Sequence, residues 1–226
     1  MRTISKKNVG LILVGLAVSL LALASYDGGS LRVVSPAMAI VASEQTFVAV
    51  DIDSGKKISI NGEVVALEDF DHGMIKNIQG DRSNVVIDMT CKANVPMAVV
   101  FDVQKKLVAM ELTRVIYRDH TENALPLELP TQDTLDKMKS IPAKHITSVS
   151  IDGNGAVTFD GMDVNTTKLA QATKQRVTED AKTIVSIHVQ DGTKYSDFMR
   201  VLSEVKKGGA QRILLNNPGE SIGPST

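Results

Sequence analysis

Hydrophobic and polar positions alternate along several short stretches of the chain, and this alternation predicts β-strands. Residues 146–151 alternate, a glycine-rich turn follows at residues 152–155, and residues 156–159 resume the extended pattern, which together predict a β-hairpin. Residues 184–189 are rich in β-branched side chains and predict an inner strand. Residues 212–215 predict a strand that closes the unit.

Two helices are predicted between these strands. The first covers residues 165–182, which contain neither glycine nor proline but carry only a thin apolar stripe. The second begins at Ser196, and glycines after Lys207 predict its end. Its apolar residues recur at the spacing of one helix face: Phe198, Val201, Leu202 and Val205.

The preceding part of the chain shows the same order of patterns. Its predicted elements are strands at residues 47–52, 58–60, 85–89 and 114–117, a turn at 53–55, a helix with apolar residues Leu67, Phe70, Met74 and Ile78, and a helix that begins near Pro96. Strand–helix–strand steps of this length require crossover connections, which place both helices on one face of a sheet.

Two segments of the first part also align with segments of the second. Residues 58–65 correspond to residues 157–164, and residues 114–117 correspond to residues 212–215, with an offset of about 98 to 99 positions. The predicted fold class is therefore α/β, in the form of an α+β sandwich. It consists of two tandem small domains, each a mixed sheet with two helices on one face.

Several segments of the second copy resemble a known family. They are Val149–Gly161, Val185–Tyr195, Phe198–Val201 and Gly209–Leu215, together with the run Leu125-Pro-Leu-Glu-Leu-Pro130 that precedes them. These segments look like the periplasmic domain of the ExbD/TolR biopolymer-transport family. Residues 31–36 are a weaker echo of the Leu-Pro run before the first copy. The resemblance covers most of residues 31–217 and implies two tandem copies of that domain.

The N-terminus carries one long apolar segment. Arg2, Lys6 and Lys7 precede 19 uncharged residues at positions 8–26, which is long enough for a single transmembrane helix. Cations before the segment predict a cytoplasmic N-terminus and an exported remainder. The alternative is a cleaved export signal, for which Ala22-Leu-Ala24 and Ala37-Met-Ala39 are small-residue cleavage sites.

These readings give the predicted organisation. It comprises a basic cytoplasmic N-terminus (1–7), a transmembrane anchor (8–26), a first ExbD/TolR-like periplasmic domain (31–119), a Leu-Pro linker (120–143), a second such domain (144–217) and a disordered tail (218–226). The predicted location is the bacterial inner membrane, with a single pass and the C-terminal domains in the periplasm.

The resemblance implies a function and partners. We expect a membrane-anchored accessory of a TonB- or Tol-type energy-transduction system that binds an ExbB/TolQ-like membrane protein or a TonB/TolA-like periplasmic protein. In the family, proton passage depends on an aspartate in the membrane helix, whereas no charged side chain lies between Lys7 and Asp27 here. The chain is therefore expected not to conduct protons itself. The alternative function is a periplasmic peptidoglycan-binding module related to TolR.

The segment between the copies is the candidate binding element. Each residue before a proline is restricted to extended conformations, so Leu125–Pro130 is predicted to be extended. An extended apolar segment can add as a strand to an open sheet edge, in its own chain or in another. The candidate binding residues are Leu125, Leu127, Leu129 and Pro130. The other interpretation is a tether that only separates the two domains.

Composition and motifs argue against other classes of function. The chain has 25 Lys and Arg against 26 Asp and Glu, without the clustered cations of a nucleic-acid surface. Its single cysteine, Cys91, has no partner for an internal disulfide and is expected to be buried at a strand end. The four histidines lack metal-ligand spacing, and no nucleophile elbow or phosphate loop is present. We therefore expect no enzyme activity, no metal and no cofactor, and we leave a hydrolase with an unfamiliar site as a third possibility.

Overall fold

The computed structural model describes residues 45–78, 80–119, 121 and 123–216. The strands are β1 (Thr46–Ile52), β2 (Ile58–Ile60), β3 (Glu63–Val65), β4 (Val85–Cys91), β5 (Arg114–Arg118), β6 (Ala124–Glu128), β7 (Ile146–Ile151), β8 (Val157–Phe159), β9 (Met162–Asp163), β10 (Ile184–Val189) and β11 (Ile213–Asn216). The helices are α1 (Phe70–Asn77), α2 (Met97–Ala109), α3 (Gln132–Met138), α4 (Thr166–Glu179) and α5 (Tyr195–Lys207). We call β1–β5 with α1 and α2 the first half, and β7–β11 with α4 and α5 the second half.

The strands form two mixed sheets. The first has the order β3-β2-β1-β4-β5-β6, and the second has the order β11-β10-β7-β8-β9. In both halves the first three strands form an antiparallel meander, and the next two strands join in parallel beside the first. The two halves therefore have the same strand order. The first sheet differs by the additional strand β6.

Matching turns close the hairpins of the two halves. Asp53 Oδ1 accepts backbone hydrogen bonds from Gly55 and Lys57, and Asp152 Oδ1 accepts the corresponding bonds from Asn154 and Ala156. Such side-chain-to-backbone bonds stabilise tight turns. The predicted hairpin turns are confirmed.

A second pair of turns explains strands that the pattern did not predict. Asn61 and Asp160 have φ of 49° and precede Gly62 and Gly161, whose φ values are 85° and 79°. Each pair places two residues with positive φ between short strands, as a hairpin connection requires. The strands that follow, β3 and β9, are only three and two residues long. An alternating pattern is not recognisable over so few residues.

The helices begin and end for local reasons. α2 begins after Pro96, where a missing N–H costs no hydrogen bond. α4 is preceded by Asn165, whose side chain accepts from the backbone N–H of Thr167. The predicted helix over residues 165–182 ends at Glu179, because the Asp180 side chain accepts from the backbone N–H of Lys182 and turns the chain towards β10.

One hydrophobic core runs through both halves. It includes the buried residues Phe70, Val100, Leu107, Tyr117, Ile187, Phe198 and Leu202. The rings of Tyr117 and Phe198 meet edge to face, with centroids 5.7 Å apart, across the contact between the halves. The two halves are therefore packed against each other and do not have separate cores.

Backbone hydrogen bonds also join the two halves, and they do so symmetrically. Met97 N–H donates to Thr193 C=O, and Tyr195 N–H donates to Val95 C=O, each at 2.8 Å. Pro96 and Lys194 form the antiparallel bridge between these bonds. Met97 and Tyr195 hold equivalent positions in the two halves, as do Val95 and Thr193. The contact is therefore isologous, like the interface of a twofold dimer.

α3 lies on the face of the second sheet opposite to α4 and α5. Met138 packs with Ile184 and Leu214, whereas the neighbouring residues Val185 and Leu215 belong to the main core. Successive residues of a strand point to opposite faces, so α3 covers the outer face. α4 and α5 lie together on one face of the second sheet, as predicted, and the predicted linker adds a third helix, α3, on the other face.

None of the helices in the part of the chain that the structure describes is long and apolar enough to cross a membrane. The predicted anchor at residues 8–26 lies outside the described residues, as do the N-terminal residues 1–7, the Leu-Pro echo at 31–36 and the predicted tail at 218–226.

Candidate binding groove

The predicted strand-addition segment forms β6 within this chain. It lies antiparallel to β5, with Leu127 opposite Val115 and Leu125 opposite Tyr117. Leu129 is buried, and its N–H donates to Thr113 C=O at 2.7 Å. Leu125 and Leu127 pack against the main core. These leucines are therefore used within the chain, and a role for them in binding a partner stays a prediction.

A groove of about 780 Å³ lies beside β6. Its walls come from β1, β4, β5 and β6 of the first sheet, from α3 and α5, and from β10 and β11 of the second sheet. The apolar residues that line it include Phe47, Val86, Ile116, Pro126, Pro130, Met138, Ile141, Ile184, Ile213 and Leu214. Phe47 is 57% exposed, which is unusual for a large aromatic side chain. The volume and the apolar lining are typical of a ligand-binding site.

Equivalent residues of the two halves line the groove in pairs. Val86 in β4 and Ile184 in β10 are equivalent. Arg114, the first residue of β5, is equivalent to Arg212, the residue before β11. Ile116 and Leu214 form a further pair. The groove therefore lies on the approximate twofold axis of the molecule.

The charge of the groove is strongly one-sided. Arg114, Lys137, Lys206 and Arg212 line it, whereas Glu128 is its single carboxylate. None of these four cations forms an ion pair with a carboxylate among the described residues. Burial lowers the pKa of the Lys206 ammonium, because removal from water disfavours the charged form. The groove thus presents a net positive charge over an apolar surface.

β11 provides an open sheet edge at this groove. It is the last strand of the second sheet, and it has β10 as its single neighbour among the described strands. Val185 N–H donates to Arg212 C=O. Because alternate residues of a strand direct their backbone groups to opposite sides, the N–H and C=O groups of Ile213 and Leu215 point away from β10. β11 is therefore able to accept another strand.

The facing edge of β6 is less suited to pairing. Pro126 lies in the middle of β6 and has no N–H to donate. Proline is one of the residues that natural proteins use to protect sheet edges. β11, with the sequence Ile213-Leu-Leu-Asn216, contains no proline.

The other candidate residues do not converge on a site. His72 lies on α1, His145 precedes β7 and pairs with Asp180, and His188 lies on β10. His120 lies outside the described residues. Over the described ranges, no group of three or more His, Cys, Asp or Glu side chains is arranged to hold a metal ion. Cys91 is 2% exposed at the end of β4, which confirms the prediction of a buried strand-end thiol.

Two polar clusters lie on the outer faces of the sheets. In the first half, Arg118 Nε donates to Asp88 Oδ1 at 2.5 Å. In the second half, Asn216 Nδ2 donates to Ser186 Oγ at 2.5 Å, and His188 Nε2 lies 3.1 Å from the same hydroxyl. Burial lowers the pKa of His188. Ser186 and Asn216 are the equivalents of Asp88 and Arg118. The two clusters therefore lie at the same position in each half, but the first is an ion pair and the second is a hydrogen bond between neutral side chains.

Comparison with known proteins finds one family match, which includes the second half. Residues 116–218 match the family described as biopolymer transport protein ExbD/TolR. The match covers just under half of the chain, from the middle of β5 onward, and includes β6, α3 and the second half. It confirms the resemblance stated from sequence over these residues. No curated protein matches the chain.

The sequence did not reveal the cationic groove. Its cations come from β5, α3, α5 and the segment before β11, which are far apart along the chain. No local motif connects them, and each is an ordinary surface residue in its own element. The correspondence of Arg114 and Arg212 in the repeat was the one available signal.

Proposed function

We propose that this chain is a non-enzymatic, membrane-anchored accessory of a TonB- or Tol-type biopolymer transport system. Its two halves are two tandem copies of the ExbD/TolR periplasmic domain, and its role is to bind a partner protein in the periplasm. The single observation that carries the proposal is the family match over residues 116–218. The common strand order of the two halves supports its extension to the first copy.

The anchor belongs to the same proposal. Residues 8–26 form a single transmembrane helix, and the remainder of the chain is exported to the periplasm. Because no charged side chain lies between Lys7 and Asp27, the chain itself does not carry protons across the membrane. It works beside an ExbB/TolQ-like subunit, and its groove receives a TonB/TolA-like protein.

Co-purification tests the proposal. The full-length chain, expressed with an ExbB/TolQ-type protein, is expected to fractionate with the inner membrane, retain its N-terminus and remain bound to that protein after solubilisation. The matched control replaces residues 8–26 with a leucine-rich helix of equal length, which keeps the anchor and removes the specific contact. A mature protein that begins at Ser25 or Ile40 and is soluble in the periplasm would contradict the anchored form.

The peptidoglycan alternative rests on the TolR side of the family match. It predicts that the chain sediments with purified sacculi and that soluble muropeptides release it. Sedimentation with sacculi in the absence of any association with an ExbB/TolQ-type protein would replace the proposed function by this alternative.

A further inference from the structure

We propose that the groove binds a single-chain amphiphilic anion, with its carboxylate or phosphate head at Lys206 and Arg212 and its acyl chain along Phe47. The ligand class is that of a fatty acid or a lysophospholipid-like phosphate. This inference goes beyond the proposed function, because it rests on the lining of the groove alone. The groove is also the surface that the proposed function gives to a partner protein, so the amphiphile and that protein would exclude each other.

The first observation is an apolar surface that stays exposed. Val48 and Val50 are buried in the core, and successive residues of a strand point to opposite faces, so Phe47 lies on the outer face of β1. Val86, the register partner of Phe47 in β4, lines the groove beside it, and so does Ile116 of β5. Burial of apolar surface is favourable in proportion to the area removed from water. An acyl chain laid over these side chains would therefore stabilise the complex.

The second observation is that the positive charge lies towards one side of the groove. Glu128, the single carboxylate of the lining, is the register partner of Arg114 in the β5–β6 pair. Side chains directly opposite each other in antiparallel strands are close neighbours, so Glu128 offsets the charge of Arg114. Lys206 and Arg212 line the groove from the second half, where no described lining residue is acidic. An anionic head is therefore favoured on that side.

The third observation is that Lys206 has no cationic counterpart in the first half. α2 and α5 are both 13 residues long, and Lys206 of α5 is equivalent to Val108 of α2. Burial lowers the pKa of the Lys206 ammonium, and an anion beside it would favour the charged form again. The two ends of the groove thus differ in chemistry. This asymmetry suits a ligand that has one charged end and one apolar end.

Photo-crosslinking tests the inference with the full-length chain. The chain is held in phosphatidylcholine nanodiscs, or in buffer if it purifies as a soluble protein. The probe is dodecanoate with a diazirine in its chain, and mass spectrometry identifies the labelled peptides. We expect saturable labelling of the peptides that contain Phe47 and Ile116. The volume of about 780 Å³ lies within the range of small-molecule sites.

Unlabelled competitors define the ligand class. Dodecanoate and dodecyl phosphate should both displace the probe, and the stronger of the two identifies the preferred head group. Dodecyltrimethylammonium has the same chain and the opposite charge, and it should compete at least about tenfold more weakly. Decanoate is shorter by two methylenes and should also compete more weakly, by up to about fourfold for each methylene that the groove buries.

Substitutions in the lining provide the matched variants. Lys206→Gln and Arg212→Gln should each raise the probe concentration for half-maximal labelling by about tenfold, because each removes a charge-assisted hydrogen bond to the head. Lys174→Gln removes a cation from the exposed surface of α4, outside the lining, and should have no effect. Phe47→Ala should reduce the advantage of dodecanoate over decanoate, and the exposed Val64→Ala is its control. Circular dichroism verifies that all variants are folded.

Several results would overturn the inference. Labelling confined to residues outside the groove would refute the site. Equal competition by dodecyltrimethylammonium would show that the alkyl chain partitions without recognition of the head. Displacement of the probe by soluble muropeptides but not by dodecanoate would assign the groove to peptidoglycan. The transport role is judged separately: loss of co-purification with the ExbB/TolQ-type protein would refute that role and leave a labelled groove intact.

Discussion

At the scale of single residues, equivalent positions in the two halves form different polar interactions. Asp88 and Arg118 form an ion pair on the outer face of the first sheet, whereas Ser186 and Asn216 form a neutral hydrogen bond in the second. The neutral cluster also contains His188, whose ring lies partly buried beside the Ser186 hydroxyl. Burial favours the uncharged imidazole and lowers its pKa below the ordinary 6.5.

This lowered pKa predicts a dependence of stability on pH. The unfolded chain binds a proton at His188 more readily than the folded chain does, so the free energy of unfolding should fall as the pH drops below about 6.5. Urea denaturation between about pH 7.5 and pH 5.5 measures the slope. The variant His188→Gln should show a shallower slope, and His72→Gln on α1 is the control. Equal slopes in His188→Gln and the unmodified chain would contradict the prediction.

At the scale of elements, β6 is the feature that distinguishes the halves. Its side chains complete the core of the first half although its sequence precedes the second. Leu129, the residue directly after β6, continues this packing: its side chain is 2% exposed, and its N–H donates to Thr113 C=O. β6 is therefore a structural strand of the first sheet as well as one wall of the groove.

Truncation of Leu129 measures this structural role. Leu129→Ala should lower the free energy of unfolding by about 2 to 5 kcal/mol, since it removes a buried side chain and leaves a cavity. Val64→Ala on β3 is the matched control: Val64 is 67% exposed, so the change should stay within about 0.5 kcal/mol. Chemical denaturation provides both values. A Leu129→Ala cost as small as that of the control would mean that β6 is not tightly docked.

The elements also show how far sequence reasoning reached. The strand at residues 184–189 was predicted with its observed bounds, because a β-branched run between turns is a strong local signal. α5 was predicted from its apolar spacing and begins at Tyr195, one residue before the predicted start. The position of α3 on the outer face was not predicted, because the residues that receive it, Ile184 and Leu214, look like ordinary strand residues. The groove was missed because it exists only after distant elements meet.

At the scale of the whole molecule, the two halves share one core and a symmetric set of backbone hydrogen bonds. The bonds between Met97 and Thr193 and between Tyr195 and Val95 join the two halves directly. Tyr195 adds a hydroxyl bond of 2.8 Å to Arg118 C=O in the first half. A small unit alone buries a limited fraction of its surface, so each half depends on the other for stability.

Cooperative unfolding is the consequence. Hydrogen exchange monitored by mass spectrometry under rising denaturant should show one common transition for peptides of both halves. Tyr195→Phe removes one hydrogen bond and should shift that transition by about 1 kcal/mol in both halves together. The exposed substitution Val64→Ala serves again as the control. Two separate transitions, or a Tyr195→Phe effect confined to the second half, would show that the halves unfold independently.

The isologous contact between the halves has an evolutionary consequence, because it lies within a single polypeptide. In a homodimer of identical subunits, every substitution appears twice and must be tolerated at both equivalent positions. In this chain a codon change alters one half alone. Asp88 and Arg118 have diverged from Ser186 and Asn216, and among the described strands one sheet edge is occupied whereas its counterpart is not. Such a molecule can inherit these changes separately. Joining the halves thus allows natural selection to specialise one of them while the other continues to support it.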